Sequence, residues 1–336
     1  MECAAVVKAN GYGLGSVKVV ETLLAAGAKN FFFAHLAEAL EVRDHISEGN
    51  FYVFNGLGLN EEKIFLDHNI IPALNDLGQL KTWNDFARQR NTALHAALHI
   101  DTGMSRLGLC QNEVQQLIDV PEEFKKLADP LVLSHLCSAD EINHPSNMSQ
   151  LIEFRQVTAK LPKARLSLAN SSGTFRGRDF HFDLGRPGVA LYGVNPTPET
   201  YNPMEPVVTV QCRILQTRTI PAGRSVGYGC TYISDKETRV ATIAIGYADG
   251  YLRVRGNKSS IIINGTKANV IGRVSMDTVT VDVTDFSEEE VHAGAYVSVI
   301  DSVHDIDKQA KEVGTIGYEV LTNLGRRYRR IYQEPS

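Results

Sequence analysis

The run AVVKANGYGLG, residues 5–15, decides how the rest of the chain is read. Three apolar residues stop at Lys8. A turn punctuated by Gly11, Gly13 and Gly15 follows, with Tyr12 inside it. A lysine at the mouth of a buried strand is costly to desolvate, so its ammonium reaches water or gives up its proton. A lysine in the second condition can form a Schiff base with a carbonyl cofactor. Taken alone, Lys8 reads as a surface lysine just past a strand end. The remaining sequence has to decide.

Outward from that run, short apolar segments alternate with helix-period segments. The apolar runs are Cys3–Val7, Asn30–Ala34, Phe51–Phe54, Ile70–Leu74, Leu94–Ile100, Leu131–His135, Arg165–Ala169 and about Asp179–Leu184. Between them lie amphipathic stretches such as Leu80, Trp83, Phe86 and Leu151, Phe154, Val157. Continuous apolar runs between helical patterns read as parallel strands covered on both faces. Eight such units predict an α/β fold of the (β/α)8 barrel type. The eighth strand is ambiguous, because Val189–Tyr192 reads equally as a strand or a short helix.

Near Pro203–Pro206 the pattern changes. Strands are expected at Val207–Ile214, Thr238–Ile245, Ser260–Ile263, Ala268–Ile271, Val279–Val283 and Tyr296–Ile300, then a helix from about Asp307 to Leu324. Asn264-Gly265 is a hairpin signal. Val279, Val281 and Val283 alternate with polar residues, the period of a half-exposed strand. We expect a barrel over 1–204 and a mainly antiparallel β domain over 205–336. A chain of 336 residues is long enough for two cores.

A net charge of −5 gives no reason to expect nucleic acid or an anionic membrane surface as a partner. No apolar run approaches spanning length, and nothing at the start resembles a signal peptide. The five scattered cysteines form no metal-ligand spacing and fit reduced thiols in a cytoplasm.

In a barrel the site lies at the C-terminal strand ends. Those ends offer Lys8, then His99, Asp101 and Arg106, then His135, then Asn170, Ser171 and Ser172, then Arg186, Pro187 and Gly188. This cationic set lacks a carboxylate cluster, so no divalent metal is expected. Barrels often hold phosphate after strands seven and eight, where Asn170, Ser171, Gly188 and Val189 stand. A lysine at strand one and a phosphate cradle opposite together point to pyridoxal 5'-phosphate.

Eight motifs now give a resemblance. VKANGYGLG at 7–15, DTGMSRLG at 101–108, SHLCSAD at 134–140, ANSS at 169–172, RPGVALYG at 186–193, VGYGCTY at 226–232, GYADGYLR at 246–253 and GRVSMD at 272–277 resemble, in order, the fold type III alanine racemases. The resemblance implies that Lys8 carries pyridoxal phosphate as an aldimine and Tyr12 bonds its phosphate. It places Arg106 near the substrate carboxylate, His135 beside the cofactor ring and Arg186 at the pyridine nitrogen. Asn170, Ser171, Gly188 and Val189 fall on the phosphate. Tyr228 becomes the second base, and Tyr247, Met276 and Asp277 complete the substrate site from the other subunit of a homodimer.

Racemisation needs two acid–base groups on opposite faces, and the pair Lys8/Tyr228 supplies them. An arginine at the pyridine nitrogen argues against a decarboxylase of the same fold. A broader-specificity amino-acid racemase and a non-catalytic pyridoxal phosphate-binding protein are the alternatives. The expected role is D-alanine supply for peptidoglycan, or alanine catabolism.

Two departures stand out. Relatives usually carry a strand and a helix before the lysine strand, which predicts a short start and exposed apolar surface near strand one. Many relatives also carry a lysine, often carbamylated, where His99 stands, so another hydrogen bond or an anion such as chloride must orient Arg106. Tyr328, in NLGRRYRRIY, is a further candidate for the phosphate.

Overall fold

The apolar runs of the first part form the strands of a barrel. The computed structural model describes residues 1–302 and 304–333. The chain divides into two compact units: Met1–Leu191 with Asn195–Pro203, and Tyr192–Val194 with the chain from Met204 on.

In the first unit the strands are β1 (Glu2–Cys3 and Ala5–Val6), β2 (Asn30–Phe33), β3 (Asn50–Val53), β4 (Ile70–Leu74), β5 (His95–His99), β6 (Ala128–Leu133), β7 (Arg165–Ser167) and β8 (Leu184–Gly185). Strands β1 to β7 pair in parallel in chain order. Glu2–Cys3 pairs in parallel with β8. The flanks of β8 reach β7 through Asp183 N–H to Leu166 O (3.0 Å) and Arg186 N–H to Ala169 O (2.9 Å). These bonds close the ring, which leaves no edge strand exposed.

Alternate side chains face opposite ways. Phe31, Phe33, Phe51 and Val53 pack into the core shared with the helices. Phe32 stacks on Tyr52 and Phe54 on the other face. Glu2 joins three strands, accepting from Asn30 and from Arg165 at 2.6 Å each. Ala4, Ala5, Val6 and Val7 are all buried, while Met1 and Cys3 are exposed.

The eighth strand differs from the sequence reading. Arg178–Phe180 is a single 3-10 turn, Phe182 turns the chain at φ 51°, and the strand is only Leu184–Gly185. Val189–Tyr192 is a 3-10 helix.

The second unit contains β9 (Val210–Ile220), β10 (Ser225–Val226), β11 (Tyr232–Ile233), β12 (Thr238–Ile243), β13 (Ser260–Ile263), β14 (Thr266–Asn269), β15 (Val279–Asp282) and β16 (Tyr296–Ile300). Six of them form an antiparallel sheet in the order β14-β13-β16-β9-β12-β15, while β10 and β11 form a separate ribbon. The edge strands of the sheet meet through the bridge Val270–Val281. Asn264 and Gly265, at φ 47° and 82°, make the expected tight hairpin. Val279, Val281 and Val283 are buried while Thr280 and Asp282 are half-buried. The expected terminal helix is two helices, Ile306–Val313 and Gly317–Thr322. Gly314 breaks it with a left-handed cap at φ 73°.

Candidate active site

Strand alternation selects the inward residues. Ala5 and Val7 pack outward, which turns Val6 and Lys8 inward. Ala96 and Leu98 pack outward, so His99 faces inward with Ala97. By the same rule His135 follows Leu131 and Leu133, and Arg186 follows Leu184.

Lys8 is followed by a left-handed turn. Ala9, Asn10, Gly11 and Tyr12 have φ of 53°, 55°, 59° and 51°. Each non-glycine residue there costs about 1–2 kcal/mol. Local bonds hold the turn: Gly11 N–H to Val7 O at 3.0 Å, Gly13 N–H to Ala9 O at 2.9 Å, and Ser16 N–H to Asn10 Oδ1 at 3.1 Å. Glu38 accepts from Ala9 N–H at 2.7 Å and from Ala34 N–H at 2.9 Å, tying the turn to β2. Strain maintained in this way is characteristic of functional positions. Burial, and then Arg106, push the Lys8 ammonium below its ordinary range, with Glu38 acting in the opposite direction.

The turn brings buried Tyr12 against Gly188. A Cβ on Gly188 would lie 2.4 Å from the Tyr12 hydroxyl, so a larger residue there would have to displace the tyrosine. Ser171 Oγ accepts from the N–H groups of Gly188 (2.8 Å) and Ala190 (3.3 Å). Asn170 caps its own turn, accepting from Gly173 N–H at 2.9 Å. The N–H groups of Ser172 and Val189 meet no acceptor among the described residues. Tyr12, Asn170, Ser171, Gly188 and Val189 therefore form one polar cradle.

Arg186 is 2% exposed. Its two terminal nitrogens donate to Ser167 Oγ and to Ser134 O. Its Nε is buried with no partner. Burial lowers the guanidinium to about 9, which leaves it cationic at neutral pH. An orphaned buried N–H is expensive. It fits a ligand that brings an acceptor, as an unprotonated pyridine nitrogen does.

His135 is held well below the usual histidine range, first by burial and then by Arg186, Arg106, Lys8 and His99. It is therefore neutral. Arg186 acts on it through charge, since both terminal guanidinium nitrogens are engaged elsewhere. His99 is lowered to about 4, first by burial and then by Arg186 and Arg106, against the pull of Asp101. Asn75 gives its amide hydrogens to Phe54 O and Ala73 O, both at 2.9 Å, and offers Oδ1 to His99 Nδ1 at 2.8 Å. Neutral His99 thus carries its proton on Nδ1 and a lone pair on Nε2. Asp101 Oδ1 gathers the N–H groups of Gly103, Met104 and Ser105, shaping the loop that presents exposed Arg106.

In the second unit Tyr228 sits between Gly227 and Gly229, both at φ 72°, and is 70% exposed. Tyr247 and Met276 are adjacent: Tyr247 N–H donates to Ser275 O and Ala248 N–H to Met276 O, each at 3.1 Å. Both side chains are exposed, at 43% and 53%. Asp277 is bound by Arg327 at 2.7 Å. Tyr328 lies among Cys212, Asp249 and Arg255, and burial pushes its hydroxyl up.

The sequence matches the family models "Alanine racemase, N-terminal domain" over residues 1–196 and "Alanine racemase, C-terminal domain" over 207–332. The chain belongs to the alanine racemase family. It is 43% identical to an alanine racemase of Rhodospirillum rubrum, covering 98% of this chain and 88% of that protein. It is also 43% identical to a catabolic alanine racemase of Agrobacterium fabrum, covering 100% of this chain and 87% of that protein. Among solved structures it is similar to the Bartonella henselae alanine racemase with covalently bound pyridoxal phosphate. That match has a TM-score of 0.95 and 40% identity, over 99% of this chain and 92% of that one.

Within this racemase family fold, the sequence reading passed over Glu38, Asn75, Ser134 and Ser167. Asn75 was reachable by the rule used for the other strand ends, since it directly follows Ile70–Leu74. The other three hold site residues through contacts distant in sequence, which no local pattern announces.

Proposed function

We propose that this chain interconverts L-alanine and D-alanine, with pyridoxal 5'-phosphate as cofactor and Lys8 and Tyr228 as its two bases. The observation that carries this reading is the open, buried Nε of Arg186, on the same inward face as Lys8 and next in sequence to the Gly188 cradle. When bound, the cofactor supplies an electron sink that acidifies the Cα–H of the attached amino acid.

The chain's residues do the rest. Tyr12, Asn170, Ser171, Gly188 and Val189 hold the phosphate, and Lys8 holds the aldehyde carbon. Arg186 Nε would donate to the ring nitrogen and favour its unprotonated form, because a guanidinium has no acceptor to offer a ring N–H. Held in that state, the group would supply a weaker electron sink, which suits racemisation better than competing reactions. Lys8 Nζ moves the proton on one face, and Tyr228 Oη of the partner subunit moves it on the other. Neutral His135 offers a neighbouring N–H to that phenol.

Arg106 takes the substrate carboxylate, and His99 Nε2 is the acceptor that orients it. Met276, Tyr247 and Asp277 bound the small side chain. The barrel over 1–204 thus carries the cofactor, and 205–336 completes the site of the other subunit of a homodimer. Exposed Tyr228, Tyr247 and Met276 support that arrangement, because they await cover.

The product serves peptidoglycan synthesis or alanine catabolism. Among the described residues no helix is long and apolar enough to cross a membrane, and five free cysteines suit a reducing cytoplasm. The test is an absorbance spectrum of purified protein with an assay of D-alanine formed from L-alanine. A cofactor band with turnover is expected. A protein that cannot be loaded, or that forms no D-alanine once loaded, contradicts the reading.

A further inference from the structure

Two loops of the second unit, Gly246–Tyr251 and Ser275–Thr278, carry Tyr247 and Met276. They are zipped so closely that a Cβ on Gly246 would lie 2.2 Å from Met276 O. A third segment fastens both. Arg327 Nε and Nη2 grip Asp249 at 2.7 and 2.9 Å, and its Nη1 reaches Asp277 at 2.7 Å. Asp249 is not an ordinary surface carboxylate. Its side chain is 11% exposed, and its Oδ2 also accepts from Gly246 N–H at 2.9 Å. Gly325 N–H donates to Asp249 O at 3.2 Å, and a Cβ on Gly250 would lie 2.0 Å from Asn323 O. The chain before Arg327 is therefore seated on the same loop.

Most exposed ion pairs contribute little. A two-pronged guanidinium–carboxylate pair with one partner buried is the geometry in which they do contribute. A lysine cannot reproduce this bridge, because it is a point charge without the planar fork.

We propose that Arg327 is a positioning residue for substrate binding. It holds the Tyr247 loop and the Met276–Asp277 loop in one arrangement, and so sets the shape that the small amino-acid side chain meets. This rests on the reading that Tyr247 and Met276 bound the substrate. Arg327 touches neither substrate nor cofactor.

The test uses cofactor-loaded Arg327→Met, Arg327→Lys and Asp277→Asn proteins. For Arg327→Met the expected result is a loss of about tenfold in kcat/KM for alanine, carried by KM rather than kcat. The cofactor absorbance should stay within wild-type range, while the melting temperature falls modestly because the nearly buried Asp249 loses its partner. Millimolar guanidinium ion should restore part of the KM, which loss of a generic structural contact would not permit. Arg327→Lys should fall between wild type and Arg327→Met, and Asp277→Asn should show the smallest change. Wild-type KM in Arg327→Met overturns the proposal. So does a loss that does not respond to guanidinium. An inactive wild-type protein would instead defeat the racemase reading.

Discussion

Arg186, on the inward face of the barrel strands, is 2% exposed with both terminal nitrogens bound, while Tyr228 in the second unit is 70% exposed on a glycine-flanked turn. Around Arg186 the neighbours are fixed. Ser171 is pinned by two N–H groups, Tyr12 is packed on Gly188, and Asn75 sets the tautomer of His99. Around Tyr228 the backbone is shaped but the aromatic ring is bare. The first region is preorganised by its own fold and leaves one buried donor open. The second is organised only as far as the loop and leaves the Tyr228 hydroxyl on the surface. Function and stability should therefore separate between the two regions.

The largest effect should come from Tyr228→Phe. Loss of a positioned acid–base group is expected to reduce racemisation by on the order of 10²–10⁴. The cofactor spectrum and melting temperature should not move, because an exposed hydroxyl contributes no packing. If both reaction directions ran at wild-type rate, the two-base assignment would be wrong.

Arg186→Met should behave oppositely with respect to the fold. It leaves Ser134 O without its donor in a buried site, which costs about 1–3 kcal/mol. Urea unfolding should show the lowered midpoint, and the cofactor should bind more weakly. A variant as stable as wild type would mean that the buried half is less tightly built than its contacts suggest.

An effect of comparable size, confined to acid pH, concerns His99. The folded His99 sits near 4 against an ordinary value of 6.5. The unfolded chain then binds the proton first as pH falls, so folded stability declines between about 6.5 and 4 and the contribution is gone below that. The size is on the order of 3 kcal/mol. His99→Asn cannot titrate and should flatten this part of the acid limb, measured by unfolding across pH. An unchanged limb would assign the loss to other groups, with buried His135 the first to examine.

Much of the barrel was legible because its strands are continuous apolar runs separated by helical period. The eighth strand was not, because two paired residues around a buried arginine carry no such run. The Asn264-Gly265 hairpin was legible from turn chemistry alone. The division of the last helix rests on a single residue, Gly314, which a helical period spans without interruption. Within the site, strand-end position marked Lys8, His99, His135 and Arg186, since alternation fixes which way each points. What sequence could not supply were pairings across long separations: Glu38 with Ala9, Asn75 with His99, and Arg327 with Asp249 and Asp277. These depend on folded geometry, and each partner alone is an ordinary polar surface residue type.

The contrast between a finished buried half and an exposed, waiting half is tested most directly by mixing two inactive variants. Lys8→Ala and Tyr228→Phe proteins, each cofactor-saturated, are unfolded, mixed in equal amounts and refolded. If each site takes its lysine from one subunit and its tyrosine from the other, half the dimers are hybrids with one intact site. Activity should then return to about one quarter of refolded wild type. Recovery should be absent in either variant refolded alone. A mixture that stays inactive, while refolded wild type recovers, would contradict a site shared between subunits.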